Sequence, residues 1–209
     1  MTEVLLAIDT SSGTAVAVLV DGVVVSEFYE PDTMQHAEQI GLQIRKALSA
    51  ANKKSSEVTA LAVGLGPGPF TGLRVGIAAA KMFAEGVGAP IFGVGSLDAI
   101  AFTQELTQPT LVLTDARRSE VYFGLYHGKT SAGSPKVIMG PGVKKQADLE
   151  AELLASKQGY QSVSGSISAA ALGLLALVQL SEGTANSSIV ANYLRAPDAV
   201  PAKGKKVSG

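Results

Sequence analysis

The chain has 209 residues, 46% hydrophobic and 17% charged, with a formal net charge of −1. That is enough chain for one large or two small domains with a substantial core. No global field draws it to nucleic acid or an anionic membrane, although RNA contact at a local patch or through a partner stays open. The absence of cysteine excludes disulfides, thiolate metal ligands and cysteine nucleophiles, and suits a reducing cytoplasm.

Residues 4–9 form an apolar run that ends in the carboxylate of Asp9. The run is too short and too soon interrupted by Thr10, Ser11 and Ser12 to read as a signal peptide. A second strand is expected over 14–20, and Asp21-Gly22 marks a hairpin into a third over 23–29. Asp32 or Thr33 is placed to cap a helix, in which Ala37, Ile40, Ile44, Ala47, Leu48 and Ala51 keep helical spacing. A strand over 58–63 then enters a loop where Gly64, Gly66 and Gly68 alternate with Pro67 and Pro69. The prolines pin the backbone and the glycines permit positive φ. Thr71 is the expected N-cap of an apolar helix over 71–87. A short strand over 90–95 and a helix expected to be capped by Ser96 and to run to residue 106 complete this half.

The 71–87 helix has an uneven surface. Arg74, Lys81 and Glu85 share a strip about 40° wide, and nearly everything else is apolar or small. A helix lying on one sheet needs a narrower apolar face, so this one is expected to be covered from two sides. Gly72, Gly76, Ala80 and Ala84 recur every fourth residue, a row that lets another backbone come close. Two readings follow: a central core helix, or a docking helix for a second chain.

After Gln108-Pro109 the order of elements repeats. A strand over 110–115 again ends in an aspartate, Asp115. A hairpin of 120–126 and 136–139, a helix over 147–155, a strand over 160–163 and an apolar helix over 167–180 follow. That last segment is too short to span a bilayer. Both halves read β-β-β-α-β-α, with negligible side-chain identity between the two. The expected class is α/β, with two tandem RNase H-like domains, 1–107 and 108–209, in the actin-like (ASKHA) arrangement. The first domain would carry dimerisation helices, and the C-terminal tail could pack back on it. Lys203, Lys205 and Lys206 read as a solvated end.

In that architecture the turn after a domain's first strand can cradle phosphate through backbone N–H groups. Asp9, Thr10, Ser11 and Ser12 are therefore candidate nucleotide-binding residues, against the plainer reading of an ordinary Ser/Thr turn. The matching turn, Asp115-Ala116-Arg117-Arg118-Ser119-Glu120, has bulky side chains and no glycine. Arg117 and Arg118 could meet phosphates by charge or be exposed ion-pair partners. No metal site is expected, since His36 and His127 are the only histidines and form no His-x-x-x-His pair. The Gly/Pro loop lacks the Gly-Lys-Ser/Thr of a phosphate-binding loop, and no Gly-x-Ser-x-Gly elbow is present. No catalytic residue is assigned, and the combination points to a partner subunit.

Four stretches carry a family resemblance. They are Ile8-Asp9-Thr10-Ser11; Gly66-Pro67-Gly68-Pro69-Phe70-Thr71-Gly72-Leu73-Arg74-Val75-Gly76; Asp115-Ala116-Arg117 with Glu120-Val121-Tyr122; and Tyr193-Leu194-Arg195-Ala196-Pro197-Asp198-Ala199. Together they resemble the TsaB (YeaZ) family of bacterial tRNA threonylcarbamoyladenosine biosynthesis proteins, which usually has Ser where Pro69 stands.

The resemblance implies a cytoplasmic accessory subunit without catalysis or cofactor of its own. Its catalytic paralogue TsaD, with a His-pair metal site, transfers threonylcarbamoyl to N6 of the adenosine beside the anticodon, and the ATPase TsaE joins them. It implies a heterodimer with TsaD through the helices over 35–51 and 71–87, a homodimer when alone, tRNA engaged through the complex, and ATP or ADP at the complex junction. The expected interface residues are His36, Ile40, Gly72, Gly76, Ala79, Ala80 and Phe83. Two alternatives stand beside it. One is a phosphate-handling or glycoprotease-like hydrolase working through Asp9 and Thr10-Ser11-Ser12; the other is a simple nucleotide-binding sensor.

Overall fold

A computed structural model describes residues 2–155 and 159–195. The predicted basic tail at Lys203, Lys205 and Lys206, and the 196–199 part of the last motif, lie outside the described residues.

Val4–Asp9 (β1) is buried along its whole length and pairs antiparallel with Thr14–Val20 (β2). Asp21 and Gly22 turn the hairpin with φ of 49° and 78°, which the Asp-Gly pair accepts readily. Val23–Glu30 (β3) forms one edge of the sheet. On the other side of β1, Ala60–Gly64 (β4) and Ile91–Val94 (β5) add in parallel, giving the five-stranded order β3-β2-β1-β4-β5. Parallel addition needs crossover helices, and these are His36–Ala50 (α1) and Phe70–Val87 (α2). A 3-10 turn over Ser55–Glu57 delays β4 beyond its predicted start.

The second sheet has four strands in the order β8-β7-β6-β9, from Thr110–Asp115 (β6), Glu120–Lys129 (β7), Pro135–Lys145 (β8) and Gln161–Ser164 (β9). β8 is much longer than predicted, because it continues past Gly140-Pro141 with shifted register against β7. Three helices complete the described fold: Ser96–Phe102 (α3), Gln146–Ala155 (α4) and Ala169–Ser181 (α5).

Alternation along the strands builds three cores. Val4, Leu6 and Ile8 face α1 and α2 with Ile40, Ile44, Ile77 and Ala80. Leu5 and Ala7 face the opposite side, in one cluster with Leu97, Ile100, Leu172 and Leu175 and with Val112 and Tyr126 of the second sheet. Leu111, Phe123 and Leu125 face Leu149 and Leu153 of α4. The layers therefore run α1/α2, first sheet, α5 with α3, second sheet, α4.

The middle layer exchanges helices between the halves. α3 follows β5 of the first sheet but packs on β6, β7 and β8, whereas α5 follows β9 of the second sheet but packs on β1 and β2. Gly173 brings α5 close, since a Cβ there would lie 2.7 Å from Leu19 Cδ1 and 3.1 Å from Ala7 Cβ. Ser168 caps α5 by accepting from Ala171 N–H at 3.0 Å, and its hydroxyl donates to Glu27 Oε1 of β3 at 2.8 Å. Among the described residues after α5, none adds a fifth strand to the second sheet. Asn186 instead bridges antiparallel to Gly93 on β5.

Candidate functional site

The predicted caps are where local reading first departs from the structure. α1 begins after Gln35 without a side-chain cap, and Asp32 spends its carboxylate on Met34 N–H and Gln35 Nε2. α2 begins after Pro69, so Thr71 is already helical. α3 begins after Gly95, and Ser96 has a different task.

That task is to hold Asp9. The Asp9 carboxylate is 1% exposed at the end of β1. Its Oδ1 accepts from Ser11 N–H at 2.7 Å and Ser11 Oγ at 2.5 Å, and its Oδ2 accepts from Ser96 Oγ at 2.6 Å. Ser96 Oγ in turn accepts from Gly66 N–H at 3.1 Å. Burial raises the Asp9 carboxyl above its ordinary range, and the bonds from Ser11 and Ser96 offset part of that rise. Thr10 Oγ1 donates to Gly72 O at 2.7 Å. Ser12 Oγ accepts from Ile167 N–H at 3.2 Å, and Ser12 O accepts from Tyr29 OH at 2.7 Å. The four residues Asp9 to Ser12 thus sit together, with these polar groups engaged inside the chain.

The glycines explain how the turn fits. A Cβ on Gly64 would lie 1.8 Å from Asp9 Oδ2, on Gly68 2.7 Å from Ser11 Cβ, on Gly72 2.5 Å from Thr10 O, and on Gly76 2.1 Å from Thr10 Oγ1. The small-residue row, expected to admit a second chain, is thus a seat for the chain's own turn. Gly72, Gly76 and Ala80 are buried against the interior rather than presented to a partner. One signal was legible: the four-residue spacing continues backward through Gly68 and Gly64 into a loop where helical periodicity has no meaning. Ser96 carried no such signal, because a serine at a helix start reads as a cap.

His36 and Ile40 are buried under the same face. His36 Nδ1 lies 2.9 Å from Thr14 Oγ1, and burial lowers the His36 pKa against the pull of Asp9 and Asp32. Ala79 and Phe83 are half-buried and join Val75 at the core edge. Beside the exposed charged residues Glu38, Arg45, Lys46, Arg74, Lys81 and Glu85, the two helices leave Ala37, Gly41, Ala78 and Met82 outside, with Met34 just ahead of α1. Met34 is 80% and Met82 74% exposed. Neither methionine stands out in the sequence.

Past α5, the C-terminal segment crosses the first sheet. Asn192 N–H donates to Leu65 O at 2.8 Å, and Tyr193 stacks on Phe70 with centroids 4.8 Å apart. Arg195 Nη1 then donates to Ala116 O at 2.8 Å in the second half. A cavity of ≈ 310 Å³ lies beneath this segment, among Pro67, Asp98, Gln179, Asn186 and Asn192. Asp98 accepts there from Tyr126 OH at 2.7 Å. Among the described residues no group of three or more histidines and carboxylates is placed to hold a metal, and no helix is long and apolar enough to cross a membrane.

Two three-stranded antiparallel starts, each extended by a parallel strand, with exchanged helices and an aspartate closing each first strand, define an actin-like protein of RNase H-like domains. The family model described as TsaD, tRNA N6-adenosine threonylcarbamoyltransferase, matches residues 25–186. The tRNA threonylcarbamoyladenosine biosynthesis protein TsaB of Escherichia coli is 30% identical over 172 residues, covering 76% of this chain and 72% of its own. The solved YeaZ of Pseudomonas aeruginosa superposes with a TM-score of 0.75 at 26% identity, over 92% of this chain and 100% of that one. An uncharacterized Mycobacterium leprae protein is 36% identical over 212 residues, 95% of this chain, and the chain spans 56% of that protein's length. The chain belongs to the TsaB (YeaZ) family.

Proposed function

We propose that this chain is a non-catalytic activator that pairs with TsaD, and works with TsaE, in threonylcarbamoyl transfer to N6 of the adenosine beside the tRNA anticodon. The names of the Escherichia coli and Bacillus subtilis relatives, both tRNA threonylcarbamoyladenosine biosynthesis proteins, support the pathway. The observation that carries the partner role is the outer face of α1 and α2. Met34 and Met82 stand 80% and 74% exposed there, beside the small residues Ala37, Gly41 and Ala78. Adaptable methionines and small residues at a helix-pair surface suit docking of another helical pair. The same face would close a homodimer when the partner is absent. Asp9, the residue a hydrolytic reading would use, has both oxygens committed to Ser11 and Ser96. ATP or ADP would bind at the junction of the assembled complex, tRNA would be held by that complex, and the assembly would work in the cytoplasm.

The test is reconstitution of tRNA modification from purified components with each omitted in turn. Loss of modification when this chain alone is left out is the expected result. Full activity without it overturns the reading. Hydrolysis of ATP or peptide by the lone chain, abolished in Asp9→Ala, would replace it with the enzymatic one.

A further inference from the structure

The cavity beneath the C-terminal segment is built from both halves of the chain. Leu65, Pro67 and Leu97 come from the first half, Pro141 from β8, and Gln179 from α5. The segment itself contributes Asn186 and Asn192. Gly93 N–H donates to Asn186 O at 2.8 Å, and Asn192 N–H donates to Leu65 O at 2.8 Å, so the backbone of this cover is fixed at two points. The volume of ≈ 310 Å³ lies at the small end of ligand pockets, which suits a small molecule rather than a peptide.

One carboxyl dominates the lining. Asp98 Oδ1 accepts from Tyr126 OH at 2.7 Å, and Tyr126 is not a wall of the cavity. The other oxygen, Oδ2, has no hydrogen-bond partner among the described residues. A Cβ on Gly95 would stand 2.2 Å from it, and Gly95 is itself a wall of the cavity. Oδ2 is therefore the oxygen that Asp98 turns to the cavity. Burial raises the Asp98 carboxyl above its ordinary range, and the Tyr126 bond offsets part of that rise. A cationic neighbour would offset it further, yet none of the lining residues is a lysine, arginine or histidine.

The rest of the lining narrows the ligand. The side-chain amides of Gln179 and Asn192 make no hydrogen bond among the described residues, which leaves their oxygens as spare acceptors. Asn186 Oδ1 is already taken by Ser188 N–H at 2.8 Å. Leu65, Leu97, Pro67, Pro141 and Val190 supply apolar walls. Leu65 and Leu97 are buried, whereas Val190 is 69% exposed and marks the mouth. A phosphate or carboxylate would meet an acid with no basic side chain to compensate it. A bare inorganic ion would leave the apolar walls uncovered. A cation with a hydrocarbon stem satisfies both, since a hydrogen bond to an ionised carboxylate is about twice as strong as a neutral one.

We propose that this cavity binds a small aliphatic amine as its ammonium ion. The ammonium sits against Asp98 Oδ2 and the amide oxygens of Gln179 and Asn192, and the hydrocarbon lies against Leu65, Leu97 and Pro141. The site uses no residue of the Asp9–Ser12 turn and none of the outer face of α1 and α2, so it stands apart from the accessory reading. Because its walls come from both halves, occupancy ties them together and stabilises the folded chain.

The experiment follows the backbone amide resonances of the full chain by NMR during titration with butylammonium chloride. Butanol and sodium butyrate serve as the neutral and anionic molecules of the same length. The expected result is saturable shifts at Gly95, Asn186 and Asn192 with butylammonium, at least about tenfold weaker binding of butanol, and none of butyrate. Asp98→Asn keeps the side-chain shape and an acceptor for Tyr126, and should lower butylammonium affinity about tenfold, to the level of butanol. Val190→Lys changes only the exposed mouth and places a competing ammonium there, so it should also weaken butylammonium, and it carries the test if Asp98→Asn fails to fold. No saturable shift in the wild type, equal affinity for butanol, or unchanged butylammonium affinity in either folded variant overturns the proposal. Ammonium chloride binding as tightly as butylammonium would assign the site to a bare inorganic cation and also overturns it.

Discussion

Ser96 Oγ donates to Asp9 Oδ2 at 2.6 Å across 87 residues of chain, and so ties the start of α3 to the end of β1. Removing the carboxylate leaves the Ser11 N–H, the Ser11 hydroxyl and the Ser96 hydroxyl without their acceptor. Asp9→Ala should therefore destabilise the fold by about 3 kcal/mol, read by urea denaturation. The sign of its pH dependence follows from burial. The folded carboxyl keeps its proton above the ordinary value of 3.8. Its contribution is then fullest below that pH and declines as pH rises through the folded value. The stability gap between wild type and Asp9→Ala should be larger near about pH 4 than near about pH 7. A gap that widens with rising pH would contradict the assignment.

The glycine seat separates two kinds of helical glycine. Gly76→Ala drives a Cβ to 2.1 Å from Thr10 Oγ1, so overpacking of about 1–3 kcal/mol is expected despite the better helix former. Gly41, on the outer face of α1, has nothing within 4 Å of an added Cβ. Gly41→Ala should stabilise the lone chain by up to about 1 kcal/mol. Thermal unfolding of the two variants, shifted in opposite directions, checks the placement.

Met82 is exposed enough that its replacement by glutamate should change the stability of the isolated chain by no more than about 0.5 kcal/mol. A charge at the centre of a helical interface is costly, so the same variant should weaken association with TsaD at least about tenfold. Calorimetric titration measures this directly. Wild-type affinity in both Met82→Glu and Met34→Glu would remove the α1/α2 face from the interaction.

Tyr193 packs at a tilt against Phe70, and the Arg74 guanidinium lies 3.9 Å from the Phe70 ring centroid. Arg74 Nε also donates to Tyr193 OH at 3.3 Å. Tyr193→Ala should cost about 1 kcal/mol and release the segment locally. Hydrogen exchange at the Asn192 amide, bonded to Leu65 O, should quicken while β1 and β4 stay protected. Uniform acceleration throughout the chain would mean that the segment holds the whole fold instead.

Residues 4–9, 14–20 and 23–29, the Asp21-Gly22 turn and the helix through Ile40 and Ile44 were legible because their patterns are local. Alternation and helical spacing report which face of an element avoids water. They do not report what covers that face. The sequence could not reveal that α3 lies on the second sheet and α5 on the first, since either sheet would bury the same side chains. Likewise Gly72 and Gly76 advertised a close approach without naming the visitor, which is Thr10, 62 residues away from Gly72. The paired aspartates were plain as well, but their fates diverge. Asp9 is sealed by a serine from a distant helix, whereas Asp115 is exposed and caps a turn that lifts Arg117 and Arg118 into solvent. Local propensity chose the elements; only the packing of distant segments decided which polar groups were consumed inside the fold and which were left facing out.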